Sequence, residues 1–141
     1  MTDDVPLADE LVSPLLRLLQ ALRTAGGGDL ELHIILLAIT ERTVGHPDFR
    51  TLNEADRNAA VQAPFPTLGL NIRSIADSTG VPRETVRRKL ASLTKAGWIV
   101  QTPQGPAFTA EAYRALTPAR EEIERLALKF HEVVSHRKRR G

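Results

Sequence analysis

Residues 75–90 read Ile-Ala-Asp-Ser-Thr-Gly-Val-Pro-Arg-Glu-Thr-Val-Arg-Arg-Lys-Leu, and this stretch decides the fold. Two short helices that cross steeply need a small residue where they touch, and Ala76 meets that need. Gly80, four positions later, suits a tight turn that requires a positive φ. Pro82 then opens a second helix that reaches Ala96 and is stopped by Gly97. The stretch therefore predicts two helices joined by a tight turn.

The second helix, residues 82–96, has an apolar face and a polar, mostly basic face. At about 100° per residue, Leu90 and Leu93 lie within about 40° of Val86, so these three side chains point inward together. The opposite face and its flanks carry Glu84, Thr85, Arg87, Arg88, Ala91, Ser92 and Lys95. A basic helix whose first turn carries side chains able to reach base edges is typical of a helix-turn-helix that reads duplex DNA.

The flanking segments complete a recognisable unit. Asn71 is a suitable N-cap for the first helix, residues 72–78. After Gly97, residues 98–100 and 107–109 look like two short strands, and the turn-rich sequence Pro-Gln-Gly-Pro at 103–106 joins them. We therefore expect a β-hairpin directly after the second helix.

Helices are predicted on both sides of this unit. Ser13 as N-cap and Pro14 at the first position predict a helix that ends at the glycines 26–28, with a backward extension through Leu7 and a kink at Pro14. Asp29 is expected to cap a central, buried helix that runs to about Thr43. Residues 45–70 are irregular, with a short helix near 53–61. Residues 111–116 and a longer stretch from 117 are helical again, with apolar residues at spacings of three and four.

Residues 71–109 resemble the winged helix-turn-helix of bacterial transcription regulators, including the Ala-Gly-Trp-Ile sequence at 96–99. Arg83-Glu84-Thr85-Val86 followed by Arg88 is similar to the recognition helix of the cyclic-AMP receptor family, in which the two Arg and the Glu read bases. The run at 85–88 and the spacing of Leu90, Leu93 and Gly97 are similar to the GntR family. The layout, with helices on both sides, is similar to MarR-like dimers, whose terminal helices intertwine.

The predicted fold class is mainly α with a small β-hairpin wing: a winged helix-turn-helix flanked by N- and C-terminal dimerisation helices. The predicted segments are an N-terminal dimerisation helix at 1–28, the DNA-binding domain at 29–109, dimerisation helices at 110–136 and a basic tail at 137–141. We expect a homodimer, because one reading helix spans only a half-site and specific affinity usually needs two.

Charge placement supports a nucleic-acid partner. The net charge of the 141 residues is +2, but residues 72–101 carry six basic and two acidic side chains, and 137–140 add four more basic ones. The remainder of the chain is at −6, so positive charge is confined to one internal segment and one end. Residues 136–140 are expected to be a disordered, solvated end rather than a second phosphate-binding site.

Several classes of protein are disfavoured. The chain has no Cys, which excludes disulfides, zinc fingers and thiol catalysis and fits a reducing cytoplasm. The longest apolar run is far too short for a membrane span, so we expect a soluble, cytoplasmic protein. The four His lack ligand spacing, and His33 is expected to be a satisfied core histidine. We predict no metal, no cofactor and no catalytic residue.

The resemblance and the helix geometry together suggest a division of roles. Arg83 and Arg88 are predicted to donate to guanine, and Glu84 to accept from cytosine. The predicted phosphate contacts are Arg73, Arg87, Lys89 and Lys95, and Thr85 and Ser92 complete the DNA-binding set. Two alternatives remain. One is a winged-helix module that binds protein without touching DNA, and the other is a MarR-like repressor that responds to a small apolar ligand.

Overall fold

The computed structural model describes residues 5–59 and 64–140. The helices are α1 (Leu7–Gly26), α2 (Leu30–Val44), α3 (Pro47–Arg50), α4 (Glu54–Ala59), α5 (Ile72–Thr79), α6 (Arg83–Lys95), α7 (Ala110–Ala115) and α8 (Thr117–Arg140), and the strands are β1 (Ile99–Thr102) and β2 (Gly105–Phe108). Residues 29–115 form one unit, the winged unit, and α1 with α8 forms another, the helical hairpin. The predicted fold class, a winged helix-turn-helix with terminal helices, is confirmed.

The winged unit is built on α2. Asp29 caps this helix as predicted, because its carboxylate accepts the backbone N–H of Leu32 at 3.0 Å. Ile35 and Ile39 are fully buried, and α2 contacts α5, α6 and β2. The predicted central helix is buried on one side only, since Leu30 and Leu37 on its other side are exposed. His33 is buried as expected, but its Nε2 finds no hydrogen-bond partner among the described residues.

The wing is a tight antiparallel hairpin. Ile99 pairs with Phe108 and Thr102 with Gly105, so that only two residues form the turn. The strands are displaced by about one residue from the predicted ones: Trp98 precedes β1, and Thr109 forms an isolated bridge with Pro64 instead of belonging to β2. Ile99 and Phe108 are buried and join the hairpin to the core.

Aromatic side chains tie the irregular region to the wing. The rings of Phe49 and Phe65 meet edge to face at 5.0 Å, and Phe65 also lies 5.9 Å from the ring of Tyr113. The Tyr113 hydroxyl donates to Glu54 at 2.6 Å. Helix α7 therefore lies with the winged unit, whereas the sequence grouped it with the terminal helices. Helix α4 covers most of the helix expected near 53–61, and the rest of that prediction falls outside the described residues.

The helical hairpin consists of α1 and α8 packed antiparallel. Arg17 lies 3.9 Å from Glu122, and the Arg137 guanidinium donates to the Val5 carbonyl at the other end of the pair. Helix α1 begins at Leu7 with Pro6 as its N-cap, so Ser13 is not a cap and Pro14 lies buried inside the helix. No helix in the described part of the chain is both long and apolar enough to cross a bilayer.

Helix α8 continues through the basic residues, so the prediction of a disordered end is wrong for residues 137–140. Two physical reasons favour the helix. Arg and Lys are good helix formers. Cations in a last turn also interact favourably with the negative end of the helix dipole and with the last free carbonyl groups.

Candidate nucleic-acid interface

Helix α5 is held at both ends by local hydrogen bonds. At its start, the Asn71 carboxamide accepts the N–H of Ser74 at 2.8 Å, and the Ser74 hydroxyl accepts the N–H of Asn71 at 2.9 Å. This reciprocal pair satisfies two backbone donors that the helix leaves free. At its end, Gly80 has φ = 76° and donates its N–H to Ala76 at 2.9 Å. The predicted cap and the predicted turn glycine are both present.

Local hydrogen bonds hold the turn between α5 and α6, and so the direction in which α6 begins. The Thr79 hydroxyl donates to the Ile75 carbonyl at 2.6 Å and accepts the N–H of Val81 at 3.2 Å. Ile75 and Val81 are both buried. Pro82 is the N-cap and α6 begins at Arg83, one residue later than the sequence predicts.

The exposure of α6 follows the predicted faces. Val86, Leu90 and Leu93 are buried, with at most 5% of their surface exposed. The exposed side chains of the helix include Arg83, Glu84, Arg87, Arg88, Ala91, Ser92 and Lys95. Thr85 is half-buried at the edge of this surface. The winged unit thus presents a polar ridge on α6 that projects away from its own core.

Two weak contacts join side chains within the ridge. Arg87 lies 3.7 Å from the Glu84 carboxylate, one turn away, and Arg88 reaches the Thr85 hydroxyl at 3.4 Å. Both contacts are long and exposed, so they impose little energetic restraint. Glu84 and Arg88 are therefore free to exchange these partners for groups on a ligand.

An open cleft of about 880 Å³ separates α6 from the wing. Arg83 and Arg87 line it from α6, and Arg73 lines it from the first turn of α5. Arg73 is exposed and lies 3.9 Å from Asp77. The opposite wall is residues 101–106 of the wing, which carry no charged side chain. The cations of this cleft therefore come from the two helices.

Lys89 lies apart from the other predicted DNA-binding residues. Its Nζ donates to the Asp29 carboxylate at 2.5 Å, and only 22% of its side chain is exposed. The Lys89 hydrogen bond, with that from the Leu32 N–H, holds the pKa of Asp29 below its ordinary value. Lys89 thus points toward the start of α2, and we remove it from the phosphate-contacting set. Sequence reasoning had no signal for the role of Asp29 in this pair, because the two residues are 60 positions apart.

Comparison with known proteins agrees with this geometry. Residues 50–103 match the model of the IclR helix-turn-helix domain, a range that contains α4, α5, α6 and β1. The match supports a DNA-binding transcription regulator of the helix-turn-helix class. It names a family other than the cyclic-AMP receptor, GntR and MarR families that the sequence resembles. No curated protein and no solved structure matched the chain.

The described residues offer no evident alternative site. No group of three or more His, Asp or Glu side chains in residues 5–59 and 64–140 is arranged to hold a metal ion. Another cleft, of about 450 Å³, also lies along α6, between Arg87, Lys95 and Gln101. The surface around α6 is thus the best-supported candidate site.

Proposed function

We propose that the protein is a homodimeric transcription regulator that binds a specific, roughly two-fold symmetric DNA duplex with α6 in the major groove. The observation that carries this proposal is the exposed ridge of α6. Its N-terminal turn carries Arg83 and Glu84, and Arg88 follows one turn later, while the opposite side of the helix is buried. A helix that presents such side chains at its N-terminal end has the docking geometry of a reading helix.

Base reading is assigned to the ridge. Arg83 and Arg88 donate to guanine O6 and N7, and the Glu84 carboxylate accepts from cytosine N4. The half-buried Thr85 and the exposed Ser92 hydroxyl border this set. Because the ion pair between Glu84 and Arg87 is exposed, exchanging it for a base contact costs little.

Phosphate binding is assigned to Arg73, Arg87 and Lys95. These cations flank the ridge on α5, along the cleft and in the last turn of α6. The uncharged wing contributes shape rather than charge to this set. Three phosphates neutralised per winged unit correspond to a slope of about −3 for log affinity against log salt concentration.

Dimerisation is assigned to the helical hairpin. Its α1 helix is apolar on two sides: Pro14 is buried on one, and Val12, Leu15, Leu16 and Leu19 are 46–62% exposed on another. On α8, Ile123 and Phe130 are also exposed, two turns apart. An exposed apolar stripe of this length favours contact with another chain. A second copy is the occupant we propose, because a symmetric pair supplies the two reading helices that a specific site needs.

Selection of bound duplexes from a random pool tests the proposal directly. We expect enrichment of a two-fold symmetric motif whose half-sites lie about 10 base pairs apart, or a multiple of that spacing. Arg88→Ala should enrich a motif that is relaxed at one position of each half-site. No enrichment, and no binding of any duplex at low salt, would contradict the proposal and favour a winged unit that binds protein.

A further inference from the structure

One carboxylate joins the reading helix to the scaffold helix of the winged unit. One oxygen of Asp29 accepts the Leu32 N–H at 3.0 Å and caps α2. The other accepts the Lys89 Nζ at 2.5 Å, from the middle of α6. Only 33% of the Asp29 side chain and 22% of the Lys89 side chain are exposed, so water screens this pair less than the pairs on the ridge. Asp29 therefore connects the start of α2 with the middle of α6.

The position of Lys89 on α6 gives this connection a geometric effect. Lys89 borders the buried stripe of Val86, Leu90 and Leu93, on the side away from the cleft that Arg83 and Arg87 line. The hydrophobic effect that buries this stripe is not directional, so it favours burial of the stripe without joining α6 to one particular atom of a neighbouring helix. A hydrogen-bonded ion pair is directional, and it holds one side of the helix to one point on α2.

We infer that Asp29 is a positioning residue for DNA reading. Its hydrogen-bonded ion pair with Lys89 fixes the rotation of α6 about the helix axis, and so the direction in which Arg83, Glu84 and Arg88 point. This inference rests on the proposed function. A rotation of about 10° at a radius of about 6 Å moves a side chain by about 1 Å. That displacement exceeds the tolerance of about 0.5 Å within which a binding constellation must be held.

Asp29→Asn is the informative variant. Asn caps helices about as well as Asp, so α2 keeps its cap while Lys89 loses its charged partner. The matched control is Glu31→Gln, which removes the same charge from an exposed side chain in the first turn of α2, two residues after the N-cap. Lys89→Met is a second variant, which keeps the stem of the side chain and removes its charge.

Two measurements are made on each full-length variant. Amide hydrogen exchange of residues 83–95 at neutral pH reports on α6 without any ligand. The ratio of affinities for the selected duplex and a random duplex, over a series of salt concentrations, reports on reading. For Asp29→Asn and Lys89→Met we expect faster amide exchange in α6 and a five- to tenfold fall in the ratio of the two affinities. A fall of this size is at the lower end of the discrimination that one bidentate base contact contributes. Glu31→Gln should change neither quantity.

The salt series separates this role from the phosphate contact that the sequence predicts for Lys89. If Lys89 only positions α6, Lys89→Met leaves the slope unchanged, whereas the loss of one phosphate contact in each subunit of the proposed dimer reduces it by about 1.8. A reduced slope, unchanged exchange in Asp29→Asn, or faster exchange with an unchanged affinity ratio would each overturn the inference. If the wild type bound no duplex, the proposed function would be wrong, and the exchange rates alone would decide whether Asp29 holds α6.

Discussion

Gly105 lies directly against the backbone of Leu70: a Cβ atom at Gly105 would come within 1.9 Å of the Leu70 carbonyl oxygen. On the same side of the hairpin, the Leu70 N–H donates to the Gln104 carbonyl at 3.1 Å. The wing is thus docked onto the residue that precedes Asn71, the N-cap of α5. This docking places the uncharged wing beside the cleft at α6 and limits how far the wing can move independently.

Gly105→Ala should destabilise the protein more than Gly80→Ala. Both glycines have positive φ, 113° and 76°, so both substitutions strain the backbone by about 1 to 2 kcal/mol. At Gly80 the new methyl group meets no atom within 4 Å, whereas at Gly105 it meets backbone. We expect an additional loss of about 1 to 3 kcal/mol at Gly105, measured by urea denaturation. Equal losses for the two variants would show that the wing shifts to accommodate the new methyl group without a further loss of stability.

Arg88→Ala and Lys95→Ala should weaken DNA binding in different ways. Arg88 lies one turn beyond the start of the ridge, and its loss should cost about 1 to 3 kcal/mol on the selected duplex and relax one base position. Lys95 lies in the last turn of α6, and its loss should weaken all duplexes alike and reduce the salt slope by about 1 per winged unit, or about 2 for the proposed dimer. Titrations on selected and random duplexes measure both effects. Equal losses on both duplexes for both variants would rule out the division between base reading and phosphate binding.

Leu16→Glu should shift the protein toward monomer. Leu16 is 55% exposed in the apolar stripe of α1, and in the proposed dimer a carboxylate at this position would be buried without a partner. Ser13→Glu is the matched control, because Ser13 is exposed and lies one turn earlier, outside the stripe. Sedimentation equilibrium at micromolar concentration measures the shift. A wild type that is already monomeric at that concentration would contradict the dimer proposal.

The contribution of Asp29 to stability should depend on pH only in acid. The pKa of this carboxyl is lowered from its ordinary value of 3.8, chiefly by the Lys89 hydrogen bond. Its contribution is therefore fully present well above the ordinary value, and it is lost as the pH falls through the lower pKa of the folded state. The difference in free energy of unfolding between wild type and Asp29→Asn should be up to about 1 kcal/mol. It should be constant from about pH 5 to 8 and shrink below about pH 4. A difference that instead varied between pH 5 and 8 would point to another titrating group.

Much of the winged unit could be predicted from neighbouring residues. The Asn71 cap, the Gly80 turn and the inward stripe of α6 depend on side chains within a few positions of one another, and all three predictions are confirmed. The predictions for the ends of the chain were less accurate. Ser13 precedes a proline as a helix cap often does, but it is not a cap, because the helix already starts at Leu7, as the predicted backward extension has it.

In the candidate site, too, local periodicity predicted the position of some side chains and not of others. Periodicity alone placed Glu84, Arg88 and Lys95 on the outer face of α6, where the structure has them. Lys89 was assigned to the phosphate contacts, but at about 100° per residue it lies only about 60° from Val86, and a long flexible side chain at the border of a buried face can turn either way. Its partner, Asp29, lies on another helix, so only the packing of α2 against α6 decided that Lys89 turns inward.

The sequence by itself determined, to within one residue, where α5 and α6 begin and end and which face of α6 is apolar, because caps, turns and amphipathic periodicity act over one or two helical turns. The tertiary structure decided that Lys89 pairs with Asp29, that Gly105 rests on Leu70 and that α7 packs with the winged unit. These contacts join residues 35 to 60 positions apart. Which of the possible partners meet depends on how the whole core packs, a property that no local stretch of sequence contains.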